Sequence, residues 1–440
     1  MEIVNGFSKL SKEDKIEWLA SQLPVDVQKN LQTVDRFWLN DSSEQKIFDD
    51  FSENTISNFY FPYGIAPNFS INGKMHSVPL VIEESSVVAA ASKSAKFWLT
   101  RGGFTTKVIS TTKKGQVHFD WKGEKEKLFD FFSVIKSELL ISVKELVKNM
   151  EARGGGIKDL TLIDKTTSLD NYYQLDVKFE TCDAMGANFI NSVLEELGHT
   201  FKNLVLAHES FNDAEKEVEV IMCILSNYTP ECIVRAHVEC PVSKLGAFAG
   251  GMSGEEFAKR FERAVKIAKV DVNRAVTHNK GIFNGIDAVI LATGNDFRAI
   301  EACGHAYAAR DGQYRGLSSC SVKDGMFRFE LSIPLALGTV GGLTNLHPLA
   351  KTTLDILGQP NASELMQIVA CVGLAQNFGA LRSLVTTGIQ KGHMKMHLLN
   401  ILNQLDANQE QIEHAKKHFV NKTVSFSAVR EEINRETPFH

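Results

Sequence analysis

Tyr173, Leu175, Val177 and Phe179 alternate with polar neighbours, and so do Val218, Val220, Met222 and Ile224. A period of two predicts strands with one buried face. Between them Ile190, Val193, Leu194 and Leu197 recur at helical spacing, closed by Gly198. Upstream, the apolar spacing predicts one long amphipathic helix over about 125–150. Arg153-Gly154-Gly155-Gly156 and a short strand through Leu160 and Leu162 follow it. Val108 to Trp121 reads as a hairpin turning at Lys113-Lys114-Gly115. Apart from the hairpin, the order β-α-β-β-α-β is that of a ferredoxin-like split βαβ unit. It marks a small domain at 109–222, inserted into a larger one.

The flanking segments supply the larger domain. The first 50 residues read as helical, with capping patterns at Ser11-Lys12-Glu13-Asp14 and Asp41-Ser42-Ser43-Glu44. Phe69, Ile71, Met75 and Val78 flank Asn72-Gly73, the dipeptide of a type I′ hairpin. Ser85 or Ser86 can cap an Ala-rich helix from Val87 to about Arg101, stopped by Gly102-Gly103. Ser253-Gly254-Glu255-Glu256 starts a helix with Phe257, Phe261, Ala264, Val265 and Ala268 on one face. Gly281 to Gly342 reads as turns and short strands. Two polar helices, about 405–418 and 427–436, look like a detachable module. The large domain is thus expected at 1–108 and 223–390, and the module at 391–440. The class is α+β.

Composition narrows the field. The chain of 440 residues is 43% hydrophobic and 23% charged, with a net charge of −5 and no block of one sign. That predicts a globular protein without a nucleic-acid footprint. Met1 to Gly6 has no basic leader or apolar core, so no signal peptide is expected. No stretch approaches ~18 uncharged apolar residues, so no membrane span is expected. The seven cysteines are odd in number and scattered, which predicts reduced thiols in a cytoplasmic protein.

No G-x-G-x-x-G, Walker A, G-x-S-x-G or H-E-x-x-H occurs. His393/His397 and His414/His418 are i, i+4 pairs, but the sequence shows neither a third ligand nor a nearby carboxylate, so no metal is expected. Asp183-Ala184-Met185-Gly186-Ala187-Asn188 joins a strand to a helix, where free N–H groups suit a diphosphate; an ordinary tight connection explains it too. Glu83-Glu84 precedes the Ala-rich helix, as first-turn carboxylates often do. Thr277-His278-Asn279-Lys280-Gly281 and Ala292-Thr293-Gly294-Asn295-Asp296 read as polar turns. None of these is specific alone.

In order, they are. Glu84 to Ser92 (ESSVVAAAS), Asp183 to Asn188 (DAMGAN), Thr277 to Gly285 (THNKGIFNG), Ala292 to Asp296 (ATGND), Gly338 to Gly342 (GTVGG), Gly373 to Phe378 (GLAQNF) and Gly392-His393-Met394 resemble the bacterial class II type of 3-hydroxy-3-methylglutaryl-coenzyme A (HMG-CoA) reductase. The resemblance runs from about residue 50 to 400. Two motifs depart: the family's Glu-Asn-Val-x-Gly is Glu53-Asn54-Thr55-Ile56-Ser57 here, and Ser85 replaces a frequent Pro after the catalytic Glu.

The resemblance implies reduction of HMG-CoA to mevalonate and CoA with two NADH or NADPH, or the reverse, and no metal. It implies Lys280 beside the carbonyl oxygen, Glu84 as its acid, His393 as the acid for the CoA thiolate, and Asp296 as a carboxylate that tunes the others. Arg274, Asn284 and Ser86 would contact the HMG group. Asp183, Met185, Gly186, Ala187 and Asn188 would hold the cofactor on a non-Rossmann small domain. It also implies a homodimer with its site at the subunit boundary, and a mobile C-terminal flap carrying His393. Asp159, near the start of its strand, would favour NADH by repelling a 2′-phosphate; it reads equally as a solvated strand-end residue. Two other classes compete. One is a CoA-thioester lyase or transferase on the same scaffold, which the intact DAMGAN turn opposes. The other is a non-catalytic interaction protein, which the four retained catalytic residue types oppose.

Overall fold

The computed structural model describes residues 3–31, 33–386, 388, 398–420, 422 and 424–436. The chain opens with α1 (Lys12–Ser21), α2 (Val25–Leu31) and α3 (Ser42–Asp49). The Ser11 hydroxyl accepts from Asp14 N, and the Asp41 carboxylate accepts from Ser43 N and Glu44 N. β1 (Tyr63–Ile71) and β2 (Lys74–Val81) then form the expected hairpin. Asn72 and Gly73 take φ of 49° and 84°, as a type I′ turn requires. α4 (Ser85–Leu99) starts earlier than expected, because Glu84, with extended φ/ψ, is its N-cap.

The expected hairpin around Lys113-Lys114-Gly115 does not form. β3 (Thr105–Val108) and β4 (Lys113–Asp120) belong to different sheets, and Gly115 lies inside β4. A Cβ there would sit 2.5 Å from Leu194 Cδ1, so close packing selects the glycine, not a turn. The long helix is also two: α5 (Lys125–Ser142) and α6 (Lys144–Glu151) break at Val143, which leaves Val147 and Met150 buried. β5 (Gly156–Asp164), β6 (Tyr172–Glu180), α7 (Ala187–Ala207), α8 (Asp213–Lys216) and β7 (Glu219–Ser226) follow. β7 thus runs past the expected boundary at 222. The sheet order β5-β6-β4-β7, antiparallel throughout, is ferredoxin-like. Val117, Phe119, Leu175 and Val177 face Phe131, Leu194 and Phe201 of the helices in one apolar core.

β8 (Ile233–Pro241) returns to β3. α9 (Gly254–Val270), α10 (Val272–Ala292), α11 (Phe297–Ala308), β9 (Ser318–Lys323) and β10 (Met326–Pro334) complete a second sheet, ordered β3-β8-β10-β9. Of the stretch expected as turns and short strands from Gly281 to Gly342, the part up to Ala308 is largely helical, and the rest holds the strands β9 and β10. The THNKG segment lies inside α10 because its polar side chains find buried partners: His278 Nε2 meets Ser318 Oγ at 2.6 Å, and Asn279 Nδ2 donates to Arg315 O at 2.9 Å. α12 (Leu343–Leu346), α13 (Pro348–Ile356) and α14 (Ala362–Val385) follow. By length and composition α14 could cross a membrane, which corrects the expectation that no stretch comes close. It is instead the centre of the larger core, with an unbroken buried run from Ile368 to Phe378. Residues 398–404 (α15), α16 (Gln409–His418) and α17 (Phe426–Glu436) share a separate cluster of Leu402, Ala415, Phe419 and Val429.

Candidate active site

DAMGAN, GTVGG and ATGND meet where the ferredoxin-like unit touches the larger core. Gly186, at φ 89°, is the N-cap of α7 and leaves the first-turn N–H groups without a side-chain cap. A Cβ at Gly186 would come 2.5 Å from Thr181 Cγ2, so only glycine closes this turn. The uncapped start of a 21-residue helix presents N–H groups and the positive dipole end, which suit the anionic diphosphate of a dinucleotide. Asn188, in the first turn, is exposed; Met185 and Ala187 are half-buried. Beneath the turn the buried Lys113 ammonium donates to Thr181 Oγ1 and, at 2.7 Å, to Ala184 O. Burial pulls that ammonium below its ordinary range. Local pattern puts Lys113 in a turn, which hides this role; it is the first residue of β4.

Across the seam, Thr339 N and Val340 N donate to Asp183 O at 2.8 and 3.3 Å. The Asp183 carboxylate accepts from Ala362 N, at the start of α14, at 2.8 Å. Asp183 thus fastens the turn to the larger core. Gly338 N donates to Asn295 Oδ1 at 2.9 Å, which brings the ATGND motif to the same seam. Asn295 carries this contact although only its neighbour Asp296 was a candidate; its place inside ATGND was the available signal.

Glu84 is half-buried at the start of α4, and its Oε1 accepts from Ser86 Oγ at 3.1 Å. Glu83 is exposed. On α10, Lys280 is exposed, with Asn284 one turn on. Asp287 continues that line at i+7, and burial together with the neighbouring Glu301 pushes its carboxyl up to about 8. Arg274 is half-buried near the start of α10 and is turned about 120° from Lys280 around the helix axis. Asp296 is the N-cap of α11, accepting from Arg298 N at 3.0 Å and Ala299 N at 3.2 Å, and it pairs with the Arg298 guanidinium at 2.9 Å. Burial would raise its carboxyl, but the Arg298 and backbone hydrogen bonds outweigh that and hold it below the ordinary value. Among the described residues no hydrogen bond or ion pair joins Glu84, Lys280 and Asp296 directly. His393 and His397 lie outside the described residues.

Asp159 sits beside a bulge in β5, 46% exposed, with Lys136 of α5 at 3.6 Å and its own Leu160 N at 2.9 Å. Lys158 turns the other way, to Glu180 at 3.3 Å. The ion pair with α5 already accounts for the Asp159 carboxylate.

A model of the family described as hydroxymethylglutaryl-coenzyme A reductase matches residues 13–398. The chain belongs to the hydroxymethylglutaryl-coenzyme A reductase family. It is 35% identical to the 3-hydroxy-3-methylglutaryl-coenzyme A reductase of Archaeoglobus fulgidus, over 93% of this chain and 89% of that protein. A probable reductase of the same name from Borreliella burgdorferi is 34% identical over 92% and 88%. Among solved structures, the Streptococcus pneumoniae reductase superposes with a TM-score of 0.73 at 34% identity, covering 98% of this chain and 99% of that one. A class II reductase from the same organism, bound to NADPH in open conformations, gives 0.71 at 36% identity, over 87% and 99%. The family assignment makes this chain an oxidoreductase, and it agrees with the expected mixed fold.

Proposed function

We propose that the protein reduces HMG-CoA to mevalonate and free CoA, consuming two reduced nicotinamide cofactors. The observation that carries this is the seam: the diphosphate-type turn at Asp183–Asn188 is fastened by Asp183 to the GTVGG loop and to the start of α14, with ATGND held to the same loop by Asn295. A nicotinamide dinucleotide fits there because the first-turn amides of α7 have no side-chain cap and Lys113 anchors the turn from below. When bound, the cofactor supplies hydride. The chain's residues do the rest. Lys280 offers an ammonium to the carbonyl oxygen as charge develops, a form of stabilisation that gains strength where water is excluded. Glu84, half-buried beside Ser86, protonates that oxygen. His393 protonates the departing thiolate, since an imidazolium is the stronger acid. Asp296 orders its neighbours from the N-cap of α11, and Arg274, Asn284 and Ser86 hold the HMG moiety.

The same reading includes a homodimer and a cytoplasmic location. Phe59, Tyr60 and Phe61 are 86%, 51% and 43% exposed beside the Glu53–Ser57 segment, an apolar patch that a second subunit would cover. Seven free cysteines suit a reducing compartment. The resident cofactor is NADH or NADPH; Asp159 favours NADH only if its pair with Lys136 opens. Mixing the protein with HMG-CoA and each cofactor, and following loss of the reduced nicotinamide absorbance, tests the proposal. CoA-dependent oxidation supports it, and none with either cofactor overturns it.

A further inference from the structure

His414 and His418 occupy one face of α16, one turn apart. The sequence offered them no carboxylate, but the fold does. α17 packs against α16 through Ala415, Phe419, Val429 and Ile433, and this brings Glu432 to the same face. Glu432 Oε1 lies 3.1 Å from His414 Nε2 and 2.7 Å from His418 Nδ1, and the ligand atoms of all three residues lie within 4.8 Å of one another. Glu432 is 13% exposed, His418 24% and His414 43%, so the cluster is backed by protein and open on one side.

We infer that His414, His418 and Glu432 form a binding site for one borderline divalent cation of the zinc type, clipping α16 to α17. Two imidazoles and one carboxylate match the donor set of three-ligand zinc sites that keep one position for water. The nitrogen donors exclude magnesium and calcium, which select oxygen. Ligands about 2.0–2.1 Å from a tetrahedral ion stand about 3.3 Å apart, so the two contacts to Glu432 would open by only a few tenths of an ångström. Two neutral imidazoles and one carboxylate give the site a charge of −1. The nearby cations are displaceable. Arg435, 75% exposed, reaches Glu432 Oε2 only at 3.9 Å. Lys422 donates to His418 Nε2 at 2.8 Å. When an ion takes Nδ1, the ring proton moves to Nε2, and the exposed Lys422 side chain swings into solvent. The two imidazole–Glu432 hydrogen bonds give way to metal–ligand bonds, and the Lys422 contact is exchanged for water.

The test uses the full chain without an affinity tag, stripped with a chelator and titrated with cobalt(II) as a spectroscopic stand-in, then with zinc(II) by calorimetry. The expected result is one cobalt per chain, with visible ligand-field bands and no thiolate charge-transfer band. His418→Ala and Glu432→Gln should each weaken binding by more than about tenfold. Glu432→Gln keeps shape and hydrogen-bonding capacity, so it separates lost ligation from a lost fold. Absence of stoichiometric binding by the wild type would overturn the inference. So would a thiolate band, or wild-type affinity in either variant.

Discussion

Gly338→Ala probes the seam by steric means alone, because Gly338 does not need a positive φ. The new Cβ would lie 2.5 Å from Met185 N and 3.2 Å from Ala184 C, against ordinary contacts of 3.4–4 Å. These are backbone atoms that cannot rotate away. The seam must open by about 1 Å, which stretches the bonds from Thr339 N and Val340 N to Asp183 O (2.8 and 3.3 Å) past useful length. Two such bonds contribute about 2 kcal/mol together. Residual overpacking adds about 1–3 kcal/mol. The strain falls at the rim of the two cores and not at their centres, so the chain should still fold, with a lower Tm. Catalysis should suffer more, since a misplacement of ~1 Å between two bound reactants costs about 10²-fold. The assay is kcat/KM for HMG-CoA-dependent cofactor oxidation, beside circular dichroism and thermal melting. Unchanged kcat/KM in the folded variant would refute the view that this contact sets the distance between cofactor and substrate.

Lys280→Met should fold normally and lose about 10²–10³ in turnover; Glu84→Gln should fall comparably and the exposed Glu83→Gln little, the reverse order showing that the wrong glutamate was chosen. His393→Gln should impair reduction of HMG-CoA more than that of free mevaldehyde, since only the former expels a thiolate, and equal losses would assign His393 a positioning role. Asp159→Ala should shift the NADPH/NADH ratio of kcat/KM upward if its carboxylate meets the ribose; an unmoved ratio leaves it to Lys136. Burial holds His278 down to about 3 from 6.5, so the unfolded chain takes up a proton that the folded chain refuses. Stability attributable to His278 is therefore present above 6.5 and lost as pH falls toward 3, and chemical denaturation of His278→Asn across that window should show a shallower decline.

The alternating strands and their helices were legible because a period of two or 3.6 is a local property. Each misreading came from a partner distant in sequence. THNKG looked like a polar turn because Ser318, Arg315 and Leu317, which satisfy its side chains, come some thirty to forty positions later. Gly115 looked like a turn residue because Leu194, which excludes a Cβ there, lies almost eighty positions later in α7. Asp296 was legible as a motif residue, whereas its capping of α11 and its pairing with Arg298 emerged only from the fold. For His414 and His418 the local pattern was right and the missing carboxylate lay one helix on.

The two ends of the ferredoxin-like unit leave the β3-β8-β10-β9 sheet at one point. Ile109 N donates to Ile233 O at 2.8 Å and Ile233 N to Ser110 O at 2.9 Å, while Val108 faces Val234 in the antiparallel pair of β3 and β8. The β3–β8 pair is therefore a hairpin whose turn has been replaced by a whole folded unit. Loop closure grows only logarithmically with length, about 0.6 kcal/mol per doubling, and a unit that folds by itself shortens the effective loop to the gap between its own ends. A short designed turn could therefore join β3 directly to β8, and the shortened chain should keep the larger core. By the same geometry, the inserted unit could be exchanged for another whose ends lie equally close, so the two halves of the chain could be varied one at a time.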